Sequence, residues 1–210
     1  MRVLIACEES QAITKEFRKL GHEAFSCDLL PCSGGHPEWH FQQDIFEVID
    51  KGFDIMIAHP PCRYLAVSGA RWMYNKDGSV NQERLKNQNE ALSFVQKLMD
   101  APIDKIAIEN PISVISTKIR KPDQIVQPYM FGDKASKSTC LWLKNLPELK
   151  PTDVVEKGEF IEFISKKGVK KRQAKWYFDA LKNSKSPEER RTLRSKTFKG
   201  MAEAIANQWS

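Results

Sequence analysis

Short apolar runs alternate with helix-patterned segments through the first half of the chain, and this alternation constrains the fold more than any other feature. Residues 2–7 (RVLIAC) are apolar and β-branched at most positions; polar residues follow, then Ile13, Phe17 and Leu20 at helical spacing, closed by Gly21. A second strand is predicted over 23–28, a short helix over 45–51, and a third strand over 54–58 that runs directly into His59-Pro60-Pro61-Cys62. Residues 82–99 carry Leu85, Leu92, Val95, Leu98 and Met99 as a helical stripe, and 105–109 (KIAIE) form a further buried-strand candidate. Strands alternating with helices give a mostly parallel, doubly wound α/β sheet covered on both faces. Ligands of such sheets bind beyond the carboxyl ends of the strands, so Cys7, Asp28, His59–Cys62 and Glu109 are expected to share one rim.

The chain of 210 residues suits one domain, and 41% hydrophobic with 29% charged residues is the balance of a globular protein. No apolar run is long enough to span a bilayer, and MRVLIACEES turns polar too early for an export signal, so a cytoplasmic protein is expected. Five cysteines, an odd number, are then expected as free thiols. The net charge of +6 favours an anionic partner such as nucleic acid. Lysine and arginine concentrate at Lys166, Lys167, Lys170, Lys171, Arg172, Arg190, Arg191 and Arg194, within residues 151–197, where strand periodicity fades. Met201, Ala204, Ile205 and Trp209 then mark a closing helix.

Pro60-Pro61 restrict the backbone at a strand end and suit Cys62 to nucleophilic work, with the thiolate as the attacking form. By itself Cys62 reads first as a small buried apolar residue. Glu109, a carboxylate at a neighbouring strand end, changes that reading, because an apolar setting there is expected to raise its pKa until it holds a proton.

Gln43-Asp44-Ile45, Phe53-Asp54-Ile55, His59-Pro60-Pro61-Cys62, Ile108-Glu109-Asn110-Pro111, Phe131-Gly132 with Lys137-Ser138-Thr139 and Leu141-Trp142-Leu143, and Lys199-Gly200-Met201-Ala202 occur in that order. In this the chain resembles the DNA cytosine-5 methyltransferases, in the manner of a compact, phage-type member without a full target-recognition domain. The resemblance implies a Rossmann-like, S-adenosylmethionine-dependent fold. It divides the chain into a catalytic core (1–150), a small basic inserted segment (151–197) and a helix that completes the core (198–210). It further implies Cys62 adding to carbon 6 of cytosine, Glu109 acting at ring nitrogen 3, and Asn110 orienting the loop around Cys62. Lys137 or Lys134 stands in for the arginines that this family usually carries after its counterpart of Phe131-Gly132. S-Adenosylmethionine is expected against Cys7, Glu8, Asp28, Leu29, Asp44, Ile45 and Pro60, with Asp28 toward the ribose and Asp44 toward the adenine amino group.

The departures are as specific as the matches. Ala6-Cys7-Glu8-Glu9-Ser10-Gln11 replaces a glycine-rich loop, and proline follows Asn110 where valine is usual. DNA is expected against Arg63, Tyr64, Ser68 and Arg71 after the nucleophile, and against Lys170, Lys171 and Arg172, with Trp176, Tyr177 and Phe178 either stacking a base or packed beneath the lysines. Target recognition then falls to the small segment or to a partner subunit. Two other functions stay open: an enzyme acting on a free or modified pyrimidine nucleotide, and a catalytically silent binding protein. No metal is assigned, although Cys27, Cys32, His36 and His40 have spacings compatible with zinc; His36 and His40 also suit the cofactor entrance.

Overall fold

The runs over 3–6, 55–58 and 106–108 are buried at every position, as strands covered on both faces of a parallel sheet are. In the computed structural model, which describes residues 1–165 and 168–210 and all their side chains except those of 187, 188 and 191, the elements follow one another as β1 (Arg2–Ala6), α1 (Ala12–Lys19), β2 (Glu23–Asp28), β3 (His40–Gln42), β4 (Ile55–Ala58), α2 (Gln82–Met99), β5 (Lys105–Pro111), α3 (Ile115–Lys118), β6 (Gln124–Val126), β7 (Thr139–Lys144), β8 (Phe160–Ile164), β9 (Lys170–Ala174), α4 (Lys175–Asn183), α5 (Pro187–Ser195) and α6 (Lys199–Trp209). Lys166, Lys167 and the Arg191 side chain of the basic cluster therefore lie outside the described residues.

Seven strands form one sheet in the order β3-β2-β1-β4-β5-β7-β6, with β7 antiparallel to both neighbours and the other pairings parallel. The expected mostly parallel, doubly wound α/β sheet of Rossmann-like type is what the chain forms. Period-two alternation divides its strands between two layers. Leu4, Ala6, Met56, Ala58, Ile106 and Ile108 pack with Val95 and Leu98 of α2, while Val3, Ile5, Ile55, Ile57 and Ala107 pack with Ile13 and Phe17 of α1 and Ile205 and Trp209 of α6. Each fully buried large aliphatic side chain contributes about 1.5–3 kcal/mol, so both helical layers are firmly seated.

Three local outcomes differ from the sequence reading. Strand β3 was not expected; at three residues it is too short to show a period. Residues 45–51 hold only a 3-10 turn, Ile45–Glu47, which Asp44 caps by accepting a hydrogen bond from Phe46 N at 2.9 Å. Strand β5 runs past Glu109, because Asn110 and Pro111 find register partners in Cys140 and Thr139 of β7, while its pairing with β4 stops at Ala58–Ile108.

Beyond the sheet, β8 and β9 pair as a separate antiparallel hairpin carrying α4 and α5, so the basic segment has regular structure that its charge pattern concealed. Helix α6 starts where Gly200 presses against the Phe131 carbonyl, with no room for a Cβ, and donates its N–H to Asp133 at 2.9 Å. Among the described residues no helix is long and apolar enough to cross a membrane.

Candidate active site

The sheet order turns at β1, which lies between β2 and β4, and the rim beyond β1, β2, β4 and β5 is where the candidate side chains lie. Cys7 leaves β1 with φ 59°. Its thiol pKa is raised by burial and then by the charges of Asp28 and Asp44, so both carboxylates stand close to the first loop. Cys27 beside them is pushed up to about 12 by burial, Asp28 and Asp44, and its thiol donates to the Gln43 carbonyl at 3.4 Å. Asp28 accepts from Leu30 N through Oδ1 at 2.9 Å, and Asp44 uses its own Oδ1 for the turn above. The second oxygen of each has no protein donor among the described residues. Leu29, next to Asp28, is 72% exposed.

Two residues expected at the cofactor do other work. Glu8 is buried, and its carboxylate accepts from Ile13 N at 2.8 Å and from Thr14 N and Oγ1 at 3.3 and 2.7 Å, capping α1. That helix needs the cap because Gln11 at its N-terminus is left-handed (φ 55°) and supplies none. The buried Gln11 amide instead donates to the His36 carbonyl at 2.7 Å and accepts from His36 N at 3.1 Å, tying the 32–36 loop over the first loop. Ile45 is buried in the α2 layer beside Val48 and Ile49 rather than facing the crevice.

At the end of β4 the structure brings together most of the chemistry-bearing residues. Asn110, 1% exposed, donates from Nδ2 to the Pro60 carbonyl at 2.8 Å and so holds the Pro60-Pro61-Cys62 turn against β5. Its Oδ1 is buried with no hydrogen-bond partner among the described residues. Glu109 accepts from His59 Nδ1 at 3.0 Å, both side chains being 13% exposed. Burial alone would raise the Glu109 pKa, but the His59 hydrogen bond and the charges of Lys137 and His59 outweigh it and hold the carboxyl below its ordinary value. The expected proton-holding Glu109 is thus corrected: its surroundings are polar and positive, not apolar.

Cys62 opens a 3-10 turn, Cys62–Tyr64, and is exposed as a residue, yet enough protein surrounds its sulfur for burial to raise the thiol pKa, and Glu109 adds to this. Lys137 and Arg194 pull in the other direction. Of the two lysines left open by the sequence, Lys137 acts on Glu109 and Cys62, whereas Lys134 lies 3.6 Å from Glu156. Sequence reasoning placed His59 at the rim without giving it a role, and missed Arg194. The first stood in plain view beside Pro60; nothing in the spacing links the second, on α5, to a cysteine 132 positions earlier. The link is made by packing: Lys137 Nζ donates to the Lys196 carbonyl at 3.4 Å and Trp176 Nε1 to the Ser136 carbonyl at 3.1 Å, tying the hairpin-helix unit to the loop before β7.

The turn after Cys62 is a basic and aromatic surface. Arg63 and Arg84 lie 5.4 and 5.2 Å from the centre of the Tyr64 ring, and Arg71 lies 4.5 Å from that of Trp72. Arg63, Ser68 and Arg71 are exposed, as are Val67, Trp72 and Tyr74. Lys170, Lys171 and Arg172 are exposed on β9; Lys170 pairs with Glu162 at 2.7 Å and Arg172 lies 3.9 Å from the centre of the Phe160 ring, both within the hairpin. Trp176 is engaged edge-on with Phe198, just before α6, at 5.5 Å, and Arg194 covers Tyr177 at 4.1 Å, so both aromatics are packed against protein.

All five cysteines are free thiols. Cys27, Cys32, His36 and His40 do not converge: Cys32 Sγ lies 3.1 Å from Gln11 Oε1, His36 stacks on Trp39 at 3.8 Å, and the His40 ring bridges Ser26 Oγ and the Leu30 carbonyl at 2.8 and 3.0 Å. Among the described residues no three His, Cys, Asp or Glu side chains are grouped to hold a metal ion.

Comparison with protein-family models finds no match, and comparison with curated proteins finds none either. Among the solved structures that match is one described as a candidate DNA modification methyltransferase encoded within a prophage (E. coli), with a TM-score of 0.44 and 12% sequence identity, covering 74% of this chain and 52% of that one. The chain spans about half the length of that protein.

Proposed function

We propose that this chain is an S-adenosylmethionine-dependent methyltransferase acting on carbon 5 of cytosine in DNA. The observation that carries the reading is the arrangement at β4 and β5: Cys62 on a turn anchored by Asn110 Nδ2 to Pro60 O at 2.8 Å, with Glu109 of the next strand acting on its thiol. A thiol and a carboxylate held on adjacent strand ends suit addition to an electron-poor ring. Sulfur adds to carbon 6, the ring nitrogen 3 beside Glu109 takes a proton, and carbon 5 becomes nucleophilic. Lys137 supplies the positive charge that the absent arginines would bring.

The residues at the first loop fit the cofactor. Asp28 and Asp44 each keep one carboxylate oxygen clear of donors from the described residues, which suits hydroxyl and amino donors, and exposed Leu29 offers an apolar surface beside them. S-Adenosylmethionine, when bound, supplies an electrophilic methyl group. DNA is the substrate that the exposed Arg63, Arg71 and Trp72 surface next to Cys62 favours, through phosphate contacts and base stacking. The test is transfer of labelled methyl from S-adenosylmethionine to double-stranded DNA, single-stranded DNA, RNA and free dCMP, with Cys62→Ser alongside. Label on polymeric cytosine that disappears in Cys62→Ser is the expected result. Label retained by Cys62→Ser refutes the nucleophile, and label confined to dCMP refutes DNA as the substrate.

A further inference from the structure

Ala6-Cys7-Glu8-Glu9-Ser10-Gln11 stands where the family that the chain resembles carries a glycine-rich loop, yet its backbone takes turns of the kind glycine favours. Cys7 and Gln11 both lie in the left-handed region, at φ 59° and 55°. A non-glycine residue there is strained, so its surroundings must hold it. At Gln11 the structure shows what does. The side chain is fully buried, and every hydrogen-bonding position of its amide is used. Nε2 donates to the His36 carbonyl at 2.7 Å and to Ser26 Oγ at 3.3 Å, and Oε1 accepts from His36 N and from the Cys32 thiol, each at 3.1 Å. Gly34 closes on the same side chain: a Cβ there would sit 2.5 Å from Gln11 Cβ and from the Ser10 carbonyl oxygen.

From Gln11 the contacts run on to Asp28. Ser26, also fully buried, meets His40 Nδ1 at 2.8 Å, His40 Nε2 meets the Leu30 carbonyl at 3.0 Å, and Leu30 N donates to Asp28 Oδ1 at 2.9 Å. Ser33 N to Glu9 O at 2.9 Å and Lys15 Nζ to Gly34 O at 3.3 Å fasten the outside of the same loop. We propose that Gln11 is a positioning residue for S-adenosylmethionine: it fixes the 30–36 loop over the first loop and, through Ser26 and His40, holds the Leu30 amide that orients the Asp28 carboxylate. This rests on the reading of Asp28 as a cofactor contact. Glycine lets a backbone take such a turn at no steric cost, whereas Gln11 makes the strained turn part of a contact that organises a second loop. The cofactor then meets a wall already in place and need not order one on binding.

Two variants approach the contact from opposite sides. Gln11→Met keeps the length and the strained backbone but has no amide, and Gly34→Ala keeps the amide but forces the loop off it. S-Adenosylmethionine binding to the full chain is measured by calorimetry, with hydrogen exchange at the His36 amide alongside. Both variants are expected to bind the cofactor about 10-fold more weakly, the loss that follows when the binding-competent loop is populated about a tenth of the time. Exchange at His36 N is expected to quicken in both. In methyl transfer the KM for the cofactor should rise by a similar factor, while kcat at saturating cofactor and the KM for DNA stay within about twofold. Wild-type affinity in Gln11→Met overturns the proposal, as does a loss spread over kcat and the KM for DNA, which marks a general structural defect. Failure of the underlying reading shows itself separately: Asp28→Ala, which leaves the Gln11 amide its partners, would bind the cofactor as wild type does, or wild type itself would bind none, and the proposal falls with it.

Discussion

Asn110 gives the sharpest test of how the nucleophile turn is held, because its two polar atoms have opposite consequences. Nδ2 anchors Pro60 O at 2.8 Å, whereas Oδ1 is buried and unpartnered among the described residues. Asn110→Ala leaves the Pro60 carbonyl without its donor, a cost of about 1–3 kcal/mol, and at the same time removes the orphaned Oδ1, a gain of about the same size. The expected net change is within about 1 kcal/mol, or about 2–4 °C in Tm for a chain of this length. Asn110→Asp keeps the shape but sets a carboxylate against the carbonyl, an uncompensated buried charge costing about 3–5 kcal/mol and so about 6–20 °C at pH 7. Its deficit should narrow in acid, since a protonated carboxyl can donate to Pro60 O. Thermal and urea unfolding of both variants measure this, and methyl transfer should fall in both because the Cys62 turn loses its anchor. Equal and large losses for Asn110→Ala and Asn110→Asp would refute the reasoning, because they would require Oδ1 to be satisfied.

Two further outcomes follow from the charges at the rim. Glu109 titrates below its ordinary value of 4.5, so its contribution to stability is full above that pH and is lost as pH falls through the depressed folded-state pKa. The difference in urea stability between wild type and Glu109→Gln should therefore be constant near neutrality and change only in acid; a change centred above pH 5 would contradict the direction. Lys137→Ala should move Cys62 alkylation to higher pH, because the lysine charge lowers the thiol pKa, whereas Lys134→Ala, which loses only an exposed pair with Glu156, should leave it unmoved. A shift with Lys134→Ala and none with Lys137→Ala would reverse the assignment.

The parallel sheet was legible because VLIA, IMIA and IAI are apolar on both faces, a pattern that few other structures produce. The convergence of Cys62, Glu109 and Asn110 was legible for the same reason, since strand ends in such a sheet share a rim. Local chemistry was less so. Glu8 looked available, but the left-handed Gln11 leaves α1 without a side-chain cap, and only the three-dimensional course of the loop shows Glu8 taking that role. Ile45 looked like an extension of Asp44, yet a turn in place of the expected helix sends it into the core. The sign of the Glu109 shift depended on His59 and Lys137, one 50 positions before it and the other brought in from the loop ahead of β7. Arg194 depended on the docking of α5, which charge density alone does not specify.

The end of the backbone ladder between β4 and β5 at Ala58 and Ile108 has a mechanical meaning. Past that rung His59 bonds Glu109 and Asn110 bonds Pro60 through side chains, and the main chain closes again at Val67 N to Ile112 O, 3.1 Å, and Val114 N to Leu65 O, 2.9 Å. The strand ends that carry Cys62 and Glu109 are thus pinned by side-chain bonds set between two main-chain closures.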